Sequence, residues 1–307
     1  MRHVTSLEEL SLSQPSAMTI GAFDGVHRGH QALIGQMVAE AHASARAAVV
    51  LTFFPHPSVV LRGRRPSFYL SSPEEKAEYL AALGVDATVT HPFSLAVSEI
   101  TAAEFVDRLL RYAKLDELWC GSDFALGHNR EGTVEYLEAE GKRRGFRVRV
   151  MPPVLIDGEV ISSTRIRQTL RDGAVEQAAR YLGRPFRLAG QVVEGAKRGR
   201  QLGIPTANLA VSEEHATPAV GVYACWASAP GWQGQAVVNI GFRPTFEGAE
   251  ARPTVEAHLL DFSGNLYGQT VALDFIARLR PEIKFPGVEA LLAQIQRDIL
   301  QARSILA

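Results

Sequence analysis

Short apolar runs alternate with longer amphipathic stretches through the first half of the chain. Residues 18–23 read as a strand, residues 28–45 as an Ala-rich helix, and residues 47–54 as a strand buried along its length. Ser72-Pro73-Glu74-Glu75 places a capping residue, a first-turn proline and two first-turn acids ahead of the next helix. Residues 85–90, 117–121 and 147–151 predict further strands, with helices at 101–113 and 131–144 between them. Strands that alternate with helices predict an α/β domain, a parallel sheet covered by helices on both faces.

Two short helical stretches follow, at about 163–171 and 173–182, and Gly183-Arg184-Pro185 ends the second. The rhythm then changes to short β-type runs punctuated by Gly and Pro, at 188–194, 220–226, 235–240, 254–260 and 270–277. That pattern predicts a small β-barrel, with a sandwich as the other closed arrangement of such strands. Residues 285–303 predict a closing helix with Val288, Leu291, Leu292, Ile295, Ile299 and Leu300 on one face. The expected domains are therefore 1–183 and 184–307.

Composition narrows the class of function. A chain of 307 residues is long enough for two cored domains. Its formal net charge of −1 lacks the basic excess of a general nucleic-acid binder, so no nucleic acid is expected. Clusters such as Arg62-Gly63-Arg64-Arg65 and Lys142-Arg143-Arg144 read as solvated faces. The two cysteines, Cys120 and Cys225, have neither disulfide nor metal spacing. No secretory leader pattern and no bilayer-length apolar run are present, so a cytoplasmic protein without a membrane partner is expected.

The first chemical candidate is Gly21-Ala22-Phe23-Asp24-Gly25-Val26-His27-Arg28-Gly29-His30, where a strand ends and a helix begins. Helix N-terminal amides and the positive dipole end suit a phosphate there. Gly25 and Gly29 let backbone approach a ligand, and His27 and His30 share one face of the first turn. Two imidazoles so placed can donate hydrogen bonds to a phosphoryl group and stabilise its charge. A pair of surface or capping histidines is the plainer reading. Zinc is the rival ligand, but no further Cys or acid stands at a suitable spacing.

Later strings fall in a recurring order. Thr52-Phe53-Phe54-Pro55-His56-Pro57 ends the second strand, and Gly121-Ser122-Asp123-Phe124-Ala125-Leu126-Gly127 follows a later one. Ile161-Ser162-Ser163-Thr164-Arg165-Ile166-Arg167 opens a late helix, with capping hydroxyls and two guanidiniums. His56 between prolines is equally a rigid turn, Asp123 a turn or cap, and Ser163 with Thr164 a plain helix start.

The first string resembles the His-x-Gly-His signature of the nucleotidyltransferase superfamily, whose domain is Rossmann-like. In its full length it resembles the bacterial bifunctional riboflavin kinase and FAD synthetase, with Ala125-Leu126 standing where that family often has a basic residue and an aromatic. The resemblance implies catalytic His27 and His30. It implies ATP-phosphate contacts from Gly21, Phe23, Asp24, Gly25, Gly29, Ser162, Ser163, Thr164, Arg165 and Arg167. Phe54, His56, Asp123 and Phe124 are the flavin-facing candidates, with Phe242 a further candidate by position.

In the second half, Gly199, Arg200 and Gly203 lie in a loop that could fold over phosphates. Thr206 and Asn208, two apart in an extended segment, point the same way and offer hard oxygen ligands for Mg²⁺; a hydrogen-bonded turn is the plainer reading. Glu256 alternates with Val255 and Ala257, so it faces the other side of its strand, as a proton acceptor or as an exposed salt-bridge acid. These strings, with Asn239-Ile240-Gly241 and Leu279-Arg280-Pro281-Glu282-Ile283-Lys284-Phe285, resemble the riboflavin kinase domain. There the resemblance makes Thr206 and Asn208 ligands of Mg-ATP and Glu256 the catalytic base.

The whole implies phosphorylation of riboflavin to FMN and adenylylation of FMN to FAD with release of pyrophosphate. ATP is the co-substrate and Mg²⁺ the cofactor, in a monomer or weak homo-oligomer. Another nucleotidyltransferase with an accessory β-domain is the alternative. A flavin-binding or regulatory module derived from such an enzyme is the non-enzymatic one.

Overall fold

The apolar run at 47–54 forms a strand whose first six residues are buried, as befits a strand covered on both faces. The computed structural model describes residues 1–63, 67–195, 203–242 and 253–307. They form two compact units, one of Met1–Arg65 and Ser71–Ser163, the other of Pro66–Leu70 and Thr164–Ala307.

The first unit is α/β. Its strands are β1 (Arg2–Val4), β2 (Ser16–Ile20), β3 (Ala47–Phe54), β4 (Ala87–Pro92), β5 (Leu115–Gly121), β6 (Ala125–Leu126), β7 (Gly132–Thr133), β8 (Arg147–Met151), β9 (Leu155–Ile156) and β10 (Glu159–Val160). Six of them make one parallel sheet in the order β1-β4-β3-β2-β5-β8. Its helices are α1 (Arg28–Ala43), α2 (Pro57–Arg62), α3 (Pro73–Ala82), α4 (Leu95–Ser98), α5 (Ala102–Ala113) and α6 (Val134–Arg144). Strand alternation divides the core. Ala17, Ala48 and Val50 pack with Ile34, Met37 and Val38 of α1 and Leu80 of α3. Met18, Ile20, Val49 and Leu51 pack with Phe105, Val106 and Leu109 of α5 and Leu137 of α6.

Element ends follow local chemistry. Ser72 and Thr101 each close a capping box, with Glu75 and Glu104. The helix expected from residue 131 starts at Val134 instead, because Thr133 caps it. The strand expected at 18–23 runs Ser16–Ile20, since the Ser16 hydroxyl is satisfied inside by the Ala113 carbonyl at 2.6 Å.

The second unit begins within α7 (Ser163–Arg171), continues through α8 (Val175–Leu182), and then becomes a closed antiparallel barrel. Its strands are β11 (Phe186–Val193), β12 (Ala207–Ala210), β13 (Gly221–Ala229), β14 (Trp232–Phe242), β15 (Pro253–Leu259) and β16 (Thr270–Arg280), in the closed order β11-β12-β15-β14-β13-β16. Leu188, Tyr223, Val238, Ala257, Leu273 and Phe275 are fully buried. The barrel starts at Phe186, next to the break expected at 183–185, while the compact units divide earlier, between Ser163 and Thr164. α8 joins the barrel unit because Glu176 accepts the Arg278 N–H at 3.1 Å and the Arg278 guanidinium reaches the Asp172 carbonyl at 3.3 Å.

The closing helix α9 (Val288–Ile305) keeps part of its expected face, for Leu291, Leu292, Ile295 and Ile299 are half-buried and Ile299 packs on the barrel's buried cluster. Val288 and Leu300 are exposed, whereas Asp298, Ala302 and the following Leu306 are buried. Arg280 of β16 sets the burial of Asp298: its guanidinium grips both carboxylate oxygens of Asp298 at 2.7–3.0 Å, and Gln294 adds a bond at 2.7 Å.

Candidate active sites

In the sheet of the first unit, the chain leaves β2 for β3 on one side and returns to β5 on the other. The crevice at the C-terminal ends of β2 and β5 is therefore the topological switch point, where open α/β sheets bind ligands. The string that begins at Gly21 follows β2, and the string that begins at Gly121 ends β5.

The loop after β2 is bent tightly. Phe23 and Val26 have φ of 45° and 38°, and Gly25 lies between them at 77°. A β-branched residue in that region is an outlier, and such strain clusters at functional sites. The surroundings hold it: Val26 N–H donates to Phe23 O at 3.1 Å, and the Gln31 amide to Val26 O at 2.7 Å. The Ser71 hydroxyl accepts the Gly25 N–H at 3.2 Å. Ser163 Oγ donates to the carbonyl of buried Asp24 at 2.9 Å, bringing the late Ser-Ser pair to the loop as far as Ser163.

His27 caps α1, its Nδ1 accepting the His30 N–H at 3.4 Å. The capping reading of His27 therefore holds, and it leaves the first two amides of α1 outside the cap bond. Amides of Arg28 and Gly29, at the start of α1, have no acceptor within the helix. Glycine at 29 suits the close approach of the imidazole, since a Cβ there would lie a tight 3.1 Å from the His27 ring. The edge of Phe23 meets the His30 ring at 5.1 Å. Burial, reinforced by His27 and Lys76, holds the His30 imidazole well below its ordinary 6.5, and its Nδ1 is buried without a hydrogen-bond partner. A neutral ring with an unmatched nitrogen at a helix N-terminus suits an incoming phosphoryl oxygen.

Other expected residues of this unit lie nearby in the fold with local duties. Phe54 ends β3, half-buried. His56 caps α2, its Nδ1 accepting the Ser58 N–H at 3.0 Å. Asp123 is exposed, and its carbonyl accepts from Arg130 at 2.7 Å; half-buried Phe124 packs on the core beneath α5. Ser162 is half-buried. Within the second unit, Thr164 is exposed and Arg165 half-buried on α7. Arg167 is buried, donates to Phe68 O at 2.6 Å, and lies 4.0 Å over the Phe68 ring. Among the described residues, no group of three His, Cys, Asp or Glu is placed to hold a metal ion.

The second site is written in strand register. Asn208 of β12 stands opposite Glu256 of β15, and Glu256 stands opposite Asn239 of β14. Directly paired residues share a face, so three polar side chains line one row across three strands. Val255 and Ala257 are buried in the barrel, so the row lies on its outer face. Thr206 precedes β12 and is exposed, and Gly203 is exposed at φ 75°. Gly195 approaches so closely that a Cβ there would overlap the Asn208 amide. The oxygens that Asn208, Thr206 and Glu256 carry are hard donors of the kind that suits a divalent cation such as Mg²⁺. Gly199 and Arg200 lie outside the described residues.

Each unit, then, carries its own polar site, and the family models divide the chain between them. An FAD synthetase model matches residues 10–165, and a riboflavin kinase model matches residues 182–306. A bifunctional riboflavin kinase/FMN adenylyltransferase from Listeria monocytogenes is 38% identical over 94% of this chain and 92% of its own. That of Escherichia coli K12 is 35% identical over 99% and 97%. This chain belongs to the bifunctional riboflavin kinase/FMN adenylyltransferase family. It is also similar to a crystal structure described as a macrolide-efflux protein from Streptococcus pneumoniae, with TM-score 0.90, 31% identity and 98% of each chain covered. No helix among the described residues is long and apolar enough to cross a membrane.

For a member of the riboflavin kinase/FMN adenylyltransferase family, three further residues belong in the description of its sites. Ser71 holds the loop through Gly25, Lys76 lies buried behind it, and Asn239 completes the row with Glu256. Ser71 precedes the capping box that contains Glu75, and Lys76 follows it, so both read in sequence as parts of a helix start. Asn239 sits in a strand pattern and shows its place only once β14 is paired with β15.

Proposed function

We infer that this protein makes FMN from riboflavin and FAD from FMN, each at the expense of ATP, with one site in each family-matched segment. The observation that carries this reading is the pairing of two separate polar constellations with two matched segments. Residues 1–183 are the proposed FMN adenylyltransferase domain and residues 184–307 the riboflavin kinase domain.

In the first site, the stacked imidazoles of His27 and His30 and the open amides of α1 bind the phosphates of ATP. An oxygen of the FMN phosphate attacks the α-phosphorus, and the bond to pyrophosphate breaks. Catalysis there is positioning and charge stabilisation, as in phosphoryl transfer generally. Gly21, Phe23, Asp24, Gly25 and Gly29 shape the cradle, and Ser162, Ser163, Thr164, Arg165 and Arg167 extend it. Phe54, His56, Asp123 and Phe124 are the proposed flavin contacts.

In the second site, Glu256 takes the proton from the ribityl hydroxyl of riboflavin, whose oxygen attacks the γ-phosphorus while ADP leaves. Thr206 and Asn208 would hold Mg²⁺ with ATP, and the bound ion neutralises phosphate charge. Gly199, Arg200 and Gly203 cover the phosphates.

The proposed setting is cytoplasmic, as a monomer or weak homo-oligomer acting on small molecules without nucleic acid. The net charge of −1 and the two buried, unpaired cysteines support it.

The test is direct. Purified protein with riboflavin, ATP and Mg²⁺ yields FMN and then FAD on chromatography, and chelation of the metal stops both. Absence of both products from folded protein overturns the reading.

A further inference from the structure

A lysine side chain is rarely buried without an anionic partner, because desolvating its charge is costly. Lys76 of α3 is 5% exposed, and its ammonium donates to the Ala22 carbonyl at 2.8 Å and to Thr52 Oγ1 at 3.2 Å. Thr52 Oγ1 donates in turn to the same Ala22 carbonyl at 3.0 Å. Both contacts are to neutral oxygens. They tie together α3, the end of β3 and the residue immediately before the left-handed Phe23.

We propose that Lys76 is a positioning residue for adenylyl transfer: its buried ammonium fixes the loop after β2 in its strained form and supplies positive charge behind the phosphate cradle. This rests on the assignment of adenylyl transfer to His27 and His30. The loop carries Asp24 toward the ammonium, α1 carries His27 and His30, and β3 supplies the neutral Thr52. Among the described residues, Asp24 is the group whose charge favours the ammonium, and the lysine's own charge helps keep His30 neutral. Burial pulls the ammonium from 10.5 down to about 8. Neither hydrogen-bond partner carries charge, so beside Asp24 the ammonium can still balance a further anion. The polyphosphate of ATP is that anion, and its arrival turns a costly buried charge into a favourable pair. A neutral residue of similar length leaves the Ala22 carbonyl with only the Thr52 hydroxyl and removes the cation.

The experiment follows FAD formation from FMN and ATP in the wild type, Lys76→Arg, Lys76→Met and His30→Ala, at pH values on both sides of 8. Riboflavin phosphorylation on the same preparations checks that each chain is intact. Wild-type FAD formation is expected to decline on the alkaline side of about 8, as Lys76 loses its proton. Lys76→Met is expected to lose about tenfold in kcat/KM for ATP at neutral pH, with the alkaline decline gone. Lys76→Arg is expected to move the decline to higher pH, because a guanidinium stays charged. A decline in wild type that persists unchanged in both variants overturns the proposal. So does a Lys76→Met enzyme with the wild-type kcat/KM beside an impaired His30→Ala, while the cradle assignment survives. If His30→Ala makes FAD at the wild-type rate, the cradle assignment has failed and the proposal falls with it. Should Lys76→Met not fold, the wild-type and Lys76→Arg profiles decide the matter between them.

Discussion

The imidazole rings of His27 and His30 lie face to face, with centroids 3.5 Å apart and planes 19° from parallel. Two protonated rings at that distance repel strongly, and water is too scarce there to screen them. Stacking therefore does more than present donors on one helix face. Burial first, and then the charges of His27 and Lys76, hold the His30 imidazole well below its ordinary value, leaving its unmatched nitrogen ready for a phosphate oxygen.

His30→Ala should separate the two activities. FAD formation is expected to fall about 100-fold or more, the usual effect of losing a donor to transition-state charge. Riboflavin phosphorylation continues, so FMN accumulates. Chromatography of the flavins over time reads both at once, and loss of both in a folded variant contradicts the two-site assignment.

Acid should weaken the first unit through the same residue. The unfolded chain protonates His30 near 6.5, whereas the folded chain resists protonation to well below that value. The unfolded state thus binds more protons in this window, and stability from His30 is lost as pH falls below 6.5 toward the folded value. Thermal unfolding of wild type and His30→Gln across that range checks this. The substituted protein is expected to show the shallower acid slope.

Glu256→Gln should produce the opposite separation. The amide keeps the shape of the row between Asn208 and Asn239 but cannot accept the proton. Riboflavin phosphorylation is expected to fall by a factor of about 100. Conversion of added FMN to FAD continues at the wild-type rate.

Asp298→Ala tests the closing helix. It leaves the Arg280 guanidinium without its carboxylate in a buried setting, a change that typically costs about 3–5 kcal/mol. Val288→Ser on the same helix is expected to stay within about 0.5 kcal/mol, because Val288 is exposed. Denaturant unfolding of the two variants compares them directly.

The α9 contrast shows where sequence reading stops. Apolar spacing selected a face on which Leu291, Leu292, Ile295 and Ile299 are half-buried but Val288 and Leu300 are exposed. The burial of Asp298 is set by Arg280, from a strand whose approach no helical periodicity reports. Lys76 is a similar case. Following Glu74-Glu75 it reads as one more charged residue of a helix start, and only the packing of α3 against the loop after β2 shows its ammonium turned inward. The strand at 47–54 was legible as a strand, and its successive residues Val49 and Val50 then face opposite sides by chain geometry alone.

By itself, the sequence determined the succession of strands and helices, the change to β-rhythm after residue 183, and the candidate residues of both sites. It did so because local periodicity, caps and glycine-rich strand ends are encoded by neighbours along the chain. The tertiary structure alone decided the stacking of His27 on His30, the row Asn208–Glu256–Asn239, the burial of Lys76 and the burial of Asp298 on α9. Strand register, the packing of helices on the sheet and the burial of charge arise from residues distant in sequence, and their energies exist only when the folded chain brings those residues together.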